Sequence, residues 1–223
     1  MGEADYKIRI GAEVRSRLLA NPAALRIPSD RLDIFIVRDF LTRAECERLI
    51  AMIDAARIPS QLLAPTADPE FRTSESCNLD PTNAFIRSIE AKLTGLLGID
   101  PFFGETIQGQ RYAVGQQFKP HHDFFYRDEA YWEAMQKTGG QRTWTAMAFL
   151  NEPDSGGETA FPQAAIKVTP RTGNLLVWNN MDARGEPNEY SLHQGMPVAE
   201  GVKYIITKWH REDIWGYSDV QTY

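Results

Sequence analysis

The sequence predicts an α+β, mainly β domain, a jelly roll with N-terminal helices packed on one face. Three observations predict it. About eight short β-rich segments follow one another in the second half, parted by Gly, Pro and Asn turns, and eight strands in two sheets make a jelly roll. The first half carries amphipathic helices with clear start and stop signals. Neither a repeat nor a linker divides the 223 residues, so the helices belong against the β core. With 43% hydrophobic and 24% charged residues, the chain has material for one sizeable core without disulfide staples.

Residues 1–31 are expected to form a helical extension, with a short helix near Ile10–Ala20 ended by Asn21-Pro22. Residues 32–215 form a single domain, and 216–223 a C-terminal tail. Arg31–Arg38 is a strand-like apolar run. Thr42 and Glu45 make a capping box, three residues apart, that opens a helix running to about Arg57. A second helix follows Pro81-Thr82, with Ile86, Ile89, Leu93, Leu96 and Leu97 on one face and Gly98 as its stop. Ser60–Asp80 reads as irregular and exceeds the ~12–15 residues of ordinary loops, which suggests a lid or binding loop. The strands are Gln108–Tyr112, Phe118–Asp123, Arg142–Leu150, Glu158–Phe161, Ala165–Val168, Asn174–Trp178, Glu189–His193 and Lys203–Trp209. One helix near Asp128–Lys137, ended by Gly139-Gly140, interrupts them.

Composition narrows the partners. The formal net charge is -6, whereas nucleic-acid binders are usually basic or carry a basic stripe. No nucleic-acid partner is therefore expected. The chain has no apolar run of about 18 residues, so no membrane partner is expected either. The polar stretch Met1–Tyr6 lacks the apolar centre of a signal peptide. Cys46 shares helical spacing with Leu49, Ile50 and Ile53, and with Cys77 it makes no disulfide framework. Together these favour a reducing cytoplasm. Oligomeric state leaves no trace in the sequence.

His121-His122-Asp123 carries the strongest chemical signal. Side chains at i and i+2 of a strand share a face, so His121 and Asp123 can reach one metal ion while His122 points away. His193, from a distant strand, completes two histidines and one carboxylate. That is the facial triad of non-heme Fe(II) oxygenases, which leaves coordination positions open. A lone histidine is more often structural, and the chain has four, His121, His122, His193 and His210. The combination carries the reading.

Lys203 follows His193 by ten residues. If Pro197–Gly201 is the turn of a hairpin, Lys203 lies directly across from His193 or diagonal to it, depending on the turn centre. Lys203 also shares a strand face with Ile205, Thr207 and Trp209, which looks like an interior face. A buried lysine is costly unless it meets an anion. Within this reading the anion is one end of a dicarboxylate whose other end chelates the metal.

The chain resembles the prolyl 4-hydroxylase family of Fe(II)/2-oxoglutarate-dependent dioxygenases. The matching stretches begin with Arg111-Tyr112-Ala113-Val114-Gly115-Gln116 and Pro120-His121-His122-Asp123. Arg142-Thr143, Phe149-Leu150-Asn151 and Gly156-Gly157-Glu158-Thr159 follow. The last are Ser191 to Val198, Gly201-Val202-Lys203 and Thr207-Lys208-Trp209. Leu41-Thr42, Glu45-Cys46 and Arg72-Thr73-Ser74 look like the family's N-terminal part, and the resemblance covers roughly residues 32–212. It implies a double-stranded β-helix core, Fe(II), 2-oxoglutarate as co-substrate, O2, and ascorbate as reductant. By position, His121, Asp123 and His193 would hold iron. Lys203 would pair with the far carboxylate of 2-oxoglutarate, and the hydroxyls of Tyr112 and Thr159 would bind it. Arg142 and Trp209 match positions on the substrate side. Arg211 stands where better-known members carry histidine, and the 124–141 segment, with Tyr126, Tyr131 and Trp132, departs from the pattern. Tyr126 and Arg211 join the substrate-side candidates, and no general base or nucleophile is assigned.

The leading functional reading is a procollagen-proline 4-dioxygenase-like enzyme. It would hydroxylate a proline in a peptide or protein and release succinate and CO2. A second reading keeps the chemistry but changes the substrate to a free amino acid or another protein residue. A third is a catalytically silent metal-binding barrel, which has no need of the triad together with Lys203, Tyr112 and Thr159. A fourth, a nucleic-acid demethylase of the same superfamily, is disfavoured by the acidic balance. The segments 60–80 and 124–141 flank the expected barrel mouth and are expected to act as lids.

Overall fold

Helix stripes and strand alternation divide the buried residues of this molecule into two layers. The structure, a computed structural model, describes residues 3–64 and 66–216. The expected tail, apart from Gly216, lies outside the described residues. The helices are α1 (Glu3–Ala20), α2 (Arg43–Ala56), α3 (Ala84–Leu97) and α4 (Trp132–Lys137). The first strands are β1 (Ala24–Arg26), β2 (Ile34–Val37), β3 (Ile58–Pro59), β4 (Glu75–Asn78), β5 (Gln108–Tyr112), β6 (Phe118–His121) and β7 (Arg142–Phe149). They are followed by β8 (Ser155–Gly156), β9 (Thr159–Phe161), β10 (Ile166–Val168), β11 (Leu175–Asn179), β12 (His193–Gly195), β13 (Val198–Glu200) and β14 (Lys203–Arg211).

The larger sheet runs β1-β2-β11-β7-β14-β5-β4-β3 and the smaller β10-β9-β12-β6, with β13-β8 as a separate pair. Period-two alternation sorts the central strands. Trp144, Ala146 and Ala148 of β7 join Val177 and Ile206 in a core under the helices. Met147 and Phe149, one residue out of phase, join Leu176, Trp178 and Ile205 in the core between the sheets. Burial on both faces explains why Ala146–Phe149 of β7 and Leu175–Trp178 of β11 are continuous apolar runs. The two facing sheets meet the jelly-roll expectation.

The helices form where their caps say. Thr42 Oγ1 accepts from Glu45 N, while the Glu45 carboxylate accepts from Thr42 N at 2.7 Å. Asn83 caps α3, and Gly98 ends it with φ +75, a left-handed conformation that favours glycine. Helix α1 begins earlier than expected and buries Ile10, Val14 and Leu18, spaced four apart, in the same core as α2 and α3. Leu18→Ala is expected to cost about 2–5 kcal/mol of unfolding free energy, measurable by denaturant titration. A change under about 0.5 kcal/mol would mean that α1 does not belong to that core.

Several local expectations need correction. Ala24–Arg26 pairs with β2 as an unforeseen edge strand. The Ser60–Asp80 stretch is not irregular throughout, because Glu75–Asn78 pairs with β5. The helix near Asp128–Lys137 is shorter, starting at Trp132. Glu189–Ser191 is a 3-10 turn rather than a strand, with Asn188 capping it.

The largest correction concerns the expected hairpin. His193 and Lys203 do not pair across a ladder. His193 opposes His121 on β6, and Lys203 opposes Tyr112 on β5 in the other sheet. Between them β13 pairs with β8, where Gly157 N donates to the Pro197 carbonyl. A Cβ on Gly156 would sit 2.5 Å from that carbonyl, so glycine admits the close approach. The connection is thus a crossover between sheets, a step that turn counting cannot see.

Candidate active site

The three sequence-picked ligands converge at the open end of β6 and β12. His121 ends β6 and His193 begins β12, and the register makes them cross-strand partners. Asp123 lies two residues past His121, just beyond the strand. Its Oδ1 is 3.9 Å from His121 Nε2 and its Oδ2 is 3.8 Å from His193 Nε2. One ligand atom from each residue lies within 4.8 Å of the others, a spacing that could hold one metal ion. The rings are aimed by backbone: His121 Nδ1 meets the Lys119 carbonyl at 2.8 Å and His193 Nδ1 meets the Ser191 carbonyl at 2.9 Å. An Nδ1–H donated to a carbonyl leaves the Nε2 lone pair free for a metal. The 3-10 turn supplies the Ser191 carbonyl.

Electrostatics keep the ligands in metal-binding form. Burial, aided by the neighbouring His193, lowers the pKa of His121 to about 3, so its imidazole is neutral at pH 7. Burial opposes ionisation of Asp123, but His193, His121, Arg142 and the Thr145 hydrogen bond together hold its carboxyl below the usual carboxylate value. His122 turns to other partners, as expected, although the strand stops at His121 instead of running on to Asp123. Its Nδ1 lies 2.7 Å from the Tyr126 hydroxyl and its Nε2 3.2 Å from the Glu189 carbonyl.

Behind the ligands lies a narrow inner chamber whose walls include Tyr112, Thr159, His193, Lys203 and Trp209. Lys203 is 1% exposed and has no ion-pair partner among the described residues. Its Nζ lies 5.4 Å from the Tyr112 ring centre and 5.7 Å from that of Phe149. Thr159 Oγ1 is buried without a hydrogen-bond partner. The Tyr112 hydroxyl donates to Gln110 Oε1 at 2.8 Å, and Gln110 Nε2 donates to Thr207 Oγ1 at 3.2 Å. A buried cation beside an orphaned hydroxyl is a costly arrangement that an anion would satisfy.

In front of the ligands an open cavity of about 610 Å³ takes in Arg142, Trp209, Tyr126 and Arg211, within the range of small-ligand and peptide sites. Residues 61–64 and 66, and several residues between 124 and 138, contribute to its wall. Arg142 stacks over Trp209 at 4.1 Å and binds Glu105 through two hydrogen bonds of 2.6 and 2.7 Å. Phe118, His121, Asp123 and Trp209 line both spaces, so the ligand cluster sits at their junction.

The comparisons with known proteins agree with this geometry. A profile described as the 2OG-Fe(II) oxygenase superfamily matches residues 107–211. The Arabidopsis thaliana protein named probable prolyl 4-hydroxylase 8 is 31% identical, over 78% of this chain and 67% of its own length. Probable prolyl 4-hydroxylase 3 of the same plant is 30% identical, over 78% and 68%. The chain belongs to the prolyl 4-hydroxylase family. The crystal structure of a viral collagen prolyl hydroxylase from Paramecium Bursaria Chlorella virus-1, in a 2OG complex, superposes with a TM-score of 0.64. It is 28% identical and covers 80% of this chain and 95% of its own.

As a member of the prolyl 4-hydroxylase family, the protein is a 2-oxoglutarate-dependent dioxygenase that uses Fe(II). The residues present fit both groups. Two imidazoles and a carboxylate suit Fe(II), and the uncompensated Lys203 with the orphaned Thr159 hydroxyl suits a dicarboxylate. Sequence reasoning passed over several supporting residues. Thr145 Oγ1 donates to Asp123 Oδ2 at 2.7 Å and accepts from Asn180 Nδ2 at 2.9 Å. Alternation along β7 puts Thr145 on the inner face, a signal that was legible. Glu105 left no signal, because its partners Arg142 and Arg211 lie far along the chain. Arg72, part of a quoted motif but given no role, lines the outer cavity over the Phe118 ring. Thr145→Val is expected to weaken Fe(II) binding about 10–100-fold through loss of ligand orientation. Metal titration followed by ligand-field absorption with Co(II) as surrogate reads this directly, and unchanged affinity would remove Thr145 from the site.

Proposed function

We propose that the chain hydroxylates a proline in a peptide or protein, with succinate and CO2 as co-products. The observation that carries this reading is the two-chamber layout. A narrow inner chamber walled by Lys203 suits the co-substrate, a wider outer cavity suits a segment of polypeptide, and the ligand cluster lines both. The family relatives named as prolyl 4-hydroxylases favour proline as the target.

In this reading His121, Asp123 and His193 hold Fe(II). Lys203 pairs with the far carboxylate of 2-oxoglutarate, and Thr159 and Tyr112 hydrogen-bond it. Iron and 2-oxoglutarate together supply the oxidising chemistry that inserts one oxygen atom of O2 into a C–H bond. The protein supplies position and dryness. The charge-assisted bond to Lys203 orients the co-substrate, while Phe161 and Trp178, 0% and 1% exposed, pack against His193 and keep that side free of water. Arg142, Trp209, Tyr126 and Arg211 line the path of the peptide. The 60–74 and 124–141 segments close over it as lids. Residues 32–215 carry the activity and residues 1–31 buttress it.

Ascorbate serves as reductant. The reducing cytoplasm suits the free Cys46 and Cys77, and among the described residues no helix is long and apolar enough to cross a membrane. With Fe(II), 2-oxoglutarate and ascorbate, proline peptides are expected to gain one oxygen atom by mass spectrometry, matched mole for mole by succinate. Succinate formed with no oxygen on any proline peptide would sink the proline reading and keep the oxygenase.

A further inference from the structure

The outer cavity holds more positive charge than the oxygenase chemistry uses. Its acidic lining residues are Glu105 and Asp123, and Asp123 belongs to the ligand cluster. Against them stand the guanidiniums of Arg72, Arg142 and Arg211. Glu105 accepts from Arg142 twice and from Arg211 Nη1 at 2.9 Å, so one carboxylate serves two cations. The Arg211 side chain is 2% exposed. Its Nη2 donates to the Met135 carbonyl, and its Nε is buried with no partner. Arg72 has no ion-pair partner among the described residues and donates only to neutral oxygens of Gln61, Ser74 and Gln108.

This charge is local, since the whole chain is acidic at -6. Burying a cation without a full counter-charge costs stability. A concave site that retains such cations concentrates anions from solution. Phe125 lies under both Arg142 and Arg211, at 4.8 and 4.7 Å, and holds their guanidiniums in the cavity wall. The Arg211 Nε–H is left as a charged donor without a partner, and a carboxylate oxygen is the acceptor that suits it best.

We infer that the cavity selects a substrate carrying a carboxylate beside the reacting residue, received by Arg211 and Arg72. The inference rests on the peptide-hydroxylase reading. The carboxylate comes from an aspartate or glutamate flanking the proline, or from the end of the peptide chain.

Matched proline peptides test it. They carry glutamate or glutamine beside the proline, each with an amidated or a free C-terminus, and a further peptide carries phosphoserine there. Binding is measured by fluorescence anisotropy to the anaerobic protein loaded with Fe(II) and 2-oxoglutarate, and oxygen addition is measured in air. The amidated glutamate peptide, or the glutamine peptide with a free C-terminus, is expected to bind about tenfold or more tightly than the amidated glutamine peptide. Which of the two does so identifies the source of the carboxylate. In Arg211→Gln and Arg72→Gln that ratio is expected to shrink below about threefold. The ratio in the unmodified protein stays decisive if Arg211→Gln fails to fold. Equal binding of all the glutamate and glutamine peptides would overturn the inference, as would a phosphoserine peptide binding better than every carboxylate peptide. Acid-selective binding without oxygen addition would sink proline hydroxylation and leave the carboxylate site standing. Equal oxygen addition to all peptides, with equal binding, would do the reverse.

Discussion

His121→Ala and His193→Ala are each expected to abolish succinate formation from 2-oxoglutarate at Fe(II) concentrations that saturate the unmodified protein. Each imidazole is one of three ligand groups, and each has its Nδ1 engaged by a backbone carbonyl that fixes the ring. Disturbing such an outer contact alone typically costs about 10–100-fold in metal affinity or activity. Loss of the ligand itself is expected to exceed the upper end of that range. Alanine also leaves Asp123 buried with one fewer imidazole neighbour, and that carboxyl depends on both to stay below its ordinary value against the cost of burial. Thermal unfolding of the metal-free proteins separates a lost site from a lost fold. Full turnover by either variant would refute the ligand assignment.

Lys203→Ala is expected to raise the 2-oxoglutarate requirement about 10–100-fold, the value of a buried charge-assisted hydrogen bond, with little change in the Fe(II) requirement. The split matters, because Lys203 lies in the other sheet from both histidines, across the chamber that they share. A pH dependence follows. Burial lowers the pKa of Lys203 to about 7, with Glu158 pulling weakly the other way. The protonated form attracts the carboxylate. Affinity for 2-oxoglutarate is therefore expected to be full below about pH 7 and to fall as pH rises above it, with a proton taken up on binding. Measured from about pH 6 to about pH 9, the Michaelis constant for 2-oxoglutarate should rise in the unmodified protein and stay level in Lys203→Ala. Parallel profiles would remove Lys203 from the co-substrate site.

These predictions draw on residues whose chemistry was legible before any tertiary structure. Strand alternation separated His121 and Asp123 from His122, and it put Lys203, Ile205, Thr207 and Trp209 on the inner face of β14, where all four line the chamber. The second inference needs only the geometry of a single strand, whereas β6 ends at His121 and the bend after it carries Asp123. Pairing inferences fared differently. The expected hairpin put Lys203 on the ladder of His193, yet the chain leaves the smaller sheet after Gly195, pairs β13 with β8, and enters the larger sheet at Lys203. Lys203 nevertheless lines the chamber, reaching it from the facing sheet. Ladder partners distant in sequence leave no periodic trace, which also hid Glu75–Asn78 beside β5.

By itself the sequence determined the helix boundaries signalled by Thr42, Glu45 and Gly98, the jelly-roll class, the metal-binding residue set and the buried lysine. Each of these follows from local geometry or from the cost of burying charge. Only the tertiary structure decided that His121 and His193 are cross-strand partners, that Thr145, itself held by Asn180, donates to Asp123, and that Glu105 divides its charge between Arg142 and Arg211. The reason is physical. Sheet register and buried ion pairing are settled by which distant segments pack together, and that free energy belongs to the folded whole rather than to any window of the chain.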